Sequence, residues 1–261
     1  MATILDTIAA HNRQLVAEKK RLRPLQQVRA EAEALDASTG YPFRRALAAP
    51  GVSFICEVKK ASPSKGLIAP DFPYLDIAKE YEAAGADAIS CLTEPKWFLG
   101  RDEYVREIAQ AVSLPVLRKD FTIDEYMIYE AKTLGASAVL LICSLLDGDT
   151  LRRWRLLAES LGMDALVEAH DEAEVETALA SGARIVGVNN RNLKDFTVDV
   201  HNSTRYRRMV PPSVLFVSES GIQTRADVEV LEENGTNAVL IGETFMKSIN
   251  KKAMMDELKG I

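Results

Sequence analysis

Apolar and polar positions follow two regimes along the chain. Over the first fifty residues, Ile4, Leu5, Ile8, Leu15, Val16 and Leu22 recur at helical spacing among Lys, Arg, Glu and Gln, which predicts an amphipathic helix. Pro24 stops it. A second amphipathic segment runs over 25–35, residues 36–42 form a turn cluster, and a short helix is expected over 43–49 before Pro50-Gly51. These faces are too small to make a core alone. Residues 1–51 therefore read as a helical extension packed on residues 52–261, the whole being one domain.

From Val52 onward, short β-branched apolar runs alternate with helical patterns. The predicted strands are 53–59, Ala88–Leu92, Val116–Lys119, 138–143, 165–168, Ile185–Asn189, Leu215–Glu219 and Ala238–Ile241. Helical patterns lie over 75–84, 104–111, 125–134, 150–161, Glu172–Ala180 and 226–233, with a short helix expected over 202–209. Such alternation predicts parallel βα units, either in an open doubly wound sheet or in a closed ring. An internal repeat decides. Gly85, Gly135, Gly182 and Gly235 each end a helix and lead into a strand, at intervals of 50, 47 and 53 residues. Each is a natural left-handed helix cap, a conformation in which a Cβ is penalised. Two βα units fill each interval, so the chain consists of four like quarters. That points to a (β/α)8 barrel of the TIM type with an N-terminal helical extension.

Composition narrows the function classes. The 261 residues are 47 % hydrophobic and 27 % charged, which excludes a disordered or collagen-like chain. No apolar run approaches the roughly 18 residues of a membrane span, and the N-terminus lacks a secretory pattern. A formal charge of −6 argues against non-specific nucleic-acid binding. The three cysteines, Cys56, Cys91 and Cys143, are odd in number and scattered in apolar runs, as expected of buried thiols in a reducing cytoplasm. The three histidines show no metal-ligand spacing.

In a (β/α)8 barrel the chemistry sits at the carboxyl ends of the strands. Here those ends carry Glu57 and Lys59, Arg118-Lys119-Asp120, Glu168 followed by His170, Asn189-Asn190-Arg191, Glu219-Ser220-Gly221, and Gly242-Glu243. Strand alternation sorts them. If Phe54, Cys56 and Val58 face the helices, Glu57 and Lys59 face the barrel mouth. By the same count Lys119 shares a face with Leu117, Glu168 with Leu166, and Glu219 with Val217. Two lysines and three glutamates ending apolar strands would destabilise the core unless they serve one another or a ligand. Glycines in Ser218–Ile222 and Leu240–Thr244 let backbone N–H groups approach an anion, and a helix starting near Glu243 would add its dipole. Ser62-Pro63-Ser64-Lys65-Gly66 offers hydroxyls on a basic loop. Together these favour a phosphorylated small molecule.

Seven segments in order carry a resemblance over the whole chain: residues 57–64, 92–100, 117–121, 167–170, 188–193, 218–222 and 240–244. The chain resembles the indole-3-glycerol-phosphate synthase family of tryptophan biosynthesis. The resemblance implies that 1-(2-carboxyphenylamino)-1-deoxyribulose 5-phosphate closes a ring, loses CO2 and then loses water. It also implies roles. Lys119 is the general acid that protonates the C2′ carbonyl, a role favoured if neighbouring cations and burial lower its pKa. Lys59 and Glu168 are candidates for the later acid and base, Glu57 orients or relays, and Glu219 supports the set. Asn189 and Arg191 contact substrate. Ser62, Ser220, Gly221, Gly242 and Glu243 match phosphate-binding positions, with Glu243 acting through its backbone N–H. Phe121 and Leu193 flank the anthranilate ring, and Leu240 adds to the substrate pocket. Neither metal nor organic cofactor is implied. The expectation is a cytoplasmic enzyme, monomeric, able to associate with other tryptophan-pathway enzymes, with no membrane or nucleic-acid partner. An isomerase or epimerase of a ribulose phosphate would explain the phosphate loops but not the lysine–glutamate set. A non-catalytic barrel would be expected to have lost at least one of those acids or bases, and none is missing.

Overall fold

The computed structural model describes residues 3–192 and 196–261. Eight parallel strands close into a barrel, each hydrogen-bonded to its sequence neighbours and the last to the first. They are β1 (Ser53–Val58), β2 (Ala88–Leu92), β3 (Val116–Lys119), β4 (Ala138–Ile142), β5 (Asp164–Ala169), β6 (Ile185–Asn189), β7 (Leu215–Glu219) and β8 (Ala238–Ile241). All eight predicted strands are present, within a residue of their expected limits. Cys143 has left β4 and begins a short 3₁₀ turn. The four repeat glycines adopt positive φ between 78° and 92°, each closing a helical segment just before its strand.

The helices in chain order are α1 (Ile4–Leu22), α2 (Leu25–Glu33), α3 (Pro42–Leu47), α4 (Tyr74–Ala84), α5 (Asp102–Ala111), α6 (Glu125–Thr133), α7 (Gly148–Ser160), α8 (Glu172–Ala180), α9 (His201–Arg207), α10 (Arg225–Glu233), α11 (Glu243–Lys247) and α12 (Lys251–Lys259). Side-chain alternation divides the core as expected. Phe54, Cys56 and Val58 join Ile77, Ala78 and Tyr81 in the layer between sheet and helices. Ile55, Leu117, Leu166, Val217 and Leu240 fill the barrel interior. All three cysteines are buried and unbonded. Burial pushes their thiols up, as befits packing groups rather than nucleophiles. A C-terminal helix, α12, lies outside the sequence-based reading. It packs on α4, and its Met255 and Leu258 are both fully buried.

The extension covers more of the barrel than its mouth. Leu5 of α1 enters the interior cluster from the carboxyl end of the strands, while Phe43 and Leu47 of α3 join the same cluster. Helix α3 sits at the opposite, amino end, where the Arg44 N–H donates to Asp164 at the start of β5 (2.9 Å) and Ser53 Oγ donates to the Ala46 carbonyl (3.0 Å). Between these two ends α2 packs against α6. Buried charge fixes α1. Lys19 pairs with Asp102 and with Glu130 (2.8 Å), and Arg118 reaches the same two carboxylates at 2.7 and 2.9 Å. Burial opposes the Arg118 charge, but Asp102, Glu130 and Asp120 outweigh it and hold the guanidinium above its ordinary range. The alternation of β3 thus sends Arg118 outward to clamp α1 and Lys119 inward to the mouth.

Candidate active site

A cavity of about 1040 Å³ opens at the carboxyl ends of the strands. Its floor is apolar, with Leu140, Ile142 and Leu240 below, and Ile4, Leu5 and Ile8 of α1 form part of its wall. Strand register brings the charged ends together. Glu168 lies opposite Gly187, which lies opposite Val217, and Asn189 lies opposite Glu219. Lys119 Nζ is 2.9 Å from Glu168 Oε2 and 3.3 Å from Glu219 Oε2. Across the mouth, Lys59 Nζ donates to Glu57 Oε1 at 2.5 Å. Asn189 Nδ2 is 3.4 Å from Glu168 Oε1, and its own Oδ1 accepts the Arg191 backbone N–H (3.0 Å).

Two missing side chains make room for these groups. A Cβ on Gly187 would lie 2.2 Å from Glu219 Oε1, and one on Gly242 would lie 2.4 Å from Glu57 Oε1 and 2.9 Å from Lys59 Nζ. Neither glycine has a positive φ, so at both positions space, not backbone freedom, is the requirement.

The electrostatics correct one expectation. The neighbours of Lys119 are anions, not cations. Burial alone would lower its pKa, but the carboxylates of Glu168, Glu219 and Glu57 together outweigh burial and hold the ammonium above the ordinary lysine range. The two partner carboxylates diverge. Burial would raise Glu168, yet Lys119 and His170 overcome it and keep Glu168 below the usual range. Burial, joined by the Glu168 carboxylate and opposed by Lys119, pushes Glu219 up to about 8. One member of the pair is thus a fixed carboxylate and the other retains a proton near neutrality, the way adjacent carboxyls part when they cannot both ionise at little cost.

His170 explains part of this and was only marginal in the sequence. Its Nε2 is 3.2 Å from Glu168 Oε1, off the line of a well-aligned hydrogen bond, and its Nδ1 is 3.0 Å from Glu174 Oε2. A neutral imidazole has one N–H, so one ring lone pair would face a carboxylate; the imidazolium suits both. Burial disfavours the charge, but Glu168 and Glu174 raise His170 to about 10. A raised base stabilises the fold fully below its unfolded pKa near 6.5 and loses that contribution as pH climbs through its folded value. The stability gap between the parent and His170→Gln, measured by urea midpoints, is therefore expected to be largest at pH 6 and to close toward pH 10. A gap that widens with pH would contradict the bridge.

The phosphate-matched positions lie together at one side of the mouth. Ser220 (φ 68°) and Gly221 (φ 86°) follow β7, and Gly242-Glu243 open α11. Helix α11 has only five residues, so its contribution is mainly the unpaired N–H groups of its first turn. The Glu243 carboxylate, which would repel phosphate, is turned onto Lys247 (2.6 Å) and Lys65 (3.4 Å). Burial works against its charge, but those two lysines hold it below the usual range. Ser62 stands on a small hairpin (Ala61–Ser62 with Gly66–Leu67), its Oγ 3.4 Å from that of Ser64.

Glu57, Lys59, Ser62, Lys119, Phe121, Glu168, Asn189, Arg191, Glu219, Ser220, Gly221, Leu240, Gly242 and Glu243 all line this one cavity. Leu193 lies outside the described residues. Phe98 is an addition. Its ring meets that of Phe121 at 5.8 Å between centroids, also on the cavity wall. Fully buried Glu94 sets it there by accepting the backbone N–H groups of Lys96, Trp97 and Phe98 at 3.0, 2.7 and 3.0 Å. An acidic residue just before a Pro-containing loop was the available signal, but only the folded loop shows which ring it presents.

Comparison with known proteins bears on the fold and the family. Among solved structures, the chain is similar to 3-hexulose-6-phosphate synthase, with a TM-score of 0.64 over 80 % of this chain and 99 % of that one, at 14 % identity. That likeness speaks for the barrel alone. Sequence similarity is closer. An indole-3-glycerol phosphate synthase of Ruminiclostridium cellulolyticum is 54 % identical over 257 residues, spanning 98 % of this chain and 99 % of its own. One from Endomicrobium trichonymphae is 52 % identical over 256 residues, spanning 98 % and 99 %. The family profile described as indole-3-glycerol phosphate synthase matches residues 5–258. Taken with the full-length identity, that match means that the chain belongs to the indole-3-glycerol phosphate synthase family.

Proposed function

We propose that the cavity converts 1-(2-carboxyphenylamino)-1-deoxyribulose 5-phosphate to indole-3-glycerol phosphate, with the residues above in the following roles. The chain is a carboxy-lyase of tryptophan biosynthesis by its family. In the first half-reaction the ring carbon bearing the carboxylate attacks C2′, and Lys119 protonates the carbonyl oxygen as it becomes a hydroxyl. Because its ammonium is held above the ordinary range, Lys119 is the charged acid throughout the neutral pH region. Loss of CO2 restores the aromatic ring. In the second half-reaction the C2′ hydroxyl leaves as water and a proton leaves C1′. Lys59 and Glu168 serve as acid and base there, Glu57 orients Lys59, and Glu219 exchanges protons with Lys119.

Phe98 and Phe121 flank the anthranilate ring, with Leu240 beneath. Arg191 and Asn189 supply polar contacts, Arg191 opposite the substrate carboxylate. Ser62 and the Ser220-Gly221 and Gly242-Glu243 backbone receive the phosphate. The set is complete within one chain, and we assign a monomer; sedimentation would test it. We also divide the chain into the extension 1–51 and the barrel 52–261 of a single domain. No helix among the described residues is long and apolar enough to cross a membrane.

The observation that carries this reading is the Lys119–Glu168–Glu219 cluster on an apolar floor, in the same cavity as the glycine-rich cradle. Incubation with the carboxyphenylamino-deoxyribulose phosphate, followed by indole fluorescence, tests it directly. Absence of indole formation by the folded chain would overturn it.

A further inference from the structure

We infer that Asn190 is a positioning residue for the phosphate cradle, turning the Ser220–Gly221 peptide so that the Gly221 N–H faces the mouth. The inference rests on reading Ser220-Gly221 as a phosphate contact, and it concerns a residue that itself stays behind the cavity. Asn190 is 1 % exposed. Its Nδ2 donates to the Ser220 carbonyl (3.0 Å) and to Ser218 Oγ (3.1 Å), while its Oδ1 accepts from the Ser203 backbone N–H (3.1 Å) and hydroxyl (2.8 Å). All four side-chain positions are used. The orientation of the amide is not arbitrary, because a backbone N–H can only donate and a carbonyl can only accept. Its main chain ties in as well, with the N–H donating to the Glu219 carbonyl and the carbonyl accepting from Asp199, both at 2.9 Å.

The consequence follows from peptide geometry. In a trans peptide the C=O and the N–H of the same unit point in opposite directions. With the Ser220 carbonyl drawn inward to Asn190, the Gly221 N–H is directed toward the cavity that Ser220 and Gly221 line. It has no acceptor among the described residues. Ser220 sits at φ 68°, a conformation unusual for a residue with a side chain, and Asn190 is the buried group that holds its carbonyl. A Cβ on Gly221 would meet Val198 at 2.5 Å and Val200 at 3.0 Å, so only glycine fits there beside these two cavity-lining side chains.

The test compares Asn190→Asp and Asn190→Ala with Ser203→Ala. Asn190→Asp keeps an acceptor for Ser203 but sets a carboxylate oxygen against the Ser220 carbonyl. Both Asn190 variants are expected to raise KM and the inhibition constant of inorganic phosphate roughly tenfold, the scale of one directed hydrogen bond, with kcat changed far less. Ser203→Ala keeps the Asn190–Ser220 bond and is expected to lower Tm with KM unchanged. Loss of Tm in the Asn190 variants with KM and phosphate affinity intact would overturn the proposal. A measurement on the unaltered chain does not depend on the variants folding. Inorganic phosphate should shift the Gly221 amide resonance. If phosphate moves the Gly242 and Glu243 amides but not Gly221, this inference fails alone. If it moves none of them, the phosphate reading itself fails.

Discussion

Lys119→Ala is expected to lower kcat by about 10²-fold or more, the range of lost general-acid catalysis, with a modest change in KM. The reason is positional. Lys119 Nζ touches both Glu168 and Glu219 within 3.3 Å, and among the described residues no other cation contacts that pair except His170, which lies against the opposite oxygen of Glu168. Stability falls as well. Removing one partner from a buried charged set leaves the Glu168 carboxylate short of a cation beside the Glu219 carboxyl, at a cost on the order of 3 kcal/mol. The two losses can be separated. Combining Lys119→Ala with Glu219→Gln removes one orphaned carboxyl and should recover part of the Tm, while turnover stays low. Near-normal kcat in the single variant would remove Lys119 from its assigned role. Recovery of turnover in the double variant would show that the single variant suffered from folding, not from loss of an acid.

Ser220→Asp is expected to raise KM on the order of 10²-fold, because like charges about 4 Å apart at a protein surface repel by roughly 4 kcal/mol before solvent screening. Backbone strain is not the cause. Ser220 is already in the left-handed region, and Asp and Asn are among the side-chain-bearing residues that tolerate it best. Ser220→Asn therefore serves as the neutral control and should change KM by far less. Unequal effects of the two variants mark an anion at this spot. Equal effects would place the phosphate elsewhere in the cavity, and unchanged KM in both would remove Ser220 from the binding surface.

Much of this arrangement is legible in the sequence alone. Period-two alternation on short apolar runs fixes which strand residues face inward, so Glu57, Lys59, Lys119, Glu168 and Glu219 could be assigned to the mouth from their spacing to Ile55, Leu117, Leu166 and Val217. The four capping glycines gave the closed ring, because a left-handed cap at equal intervals is a local property of the chain. Family-specific segments then supplied the reaction. Phe98 and α12 are not legible there, for different reasons. The first depends on a loop folded around Glu94, and the second is a helix whose apolar face has meaning only against α4.

What the sequence determined by itself was therefore periodic and local: the elements, their faces, and the residue types delivered to the strand ends. Tertiary structure decided what those residues experience. Strand alternation delivers Lys119 to the mouth, but that carboxylates and not cations set its charge follows from partners on β5 and β7, far away in sequence. Glu168 and Glu219, identical in type and both at strand ends, diverge because His170, itself paired with Glu174, stands against only the first. Even the extension, one amphipathic stretch after another on paper, is split between the two ends of the barrel. A pattern of apolar positions encodes direction relative to a strand or helix axis, whereas charge state and proximity depend on distances that only the closed ring sets.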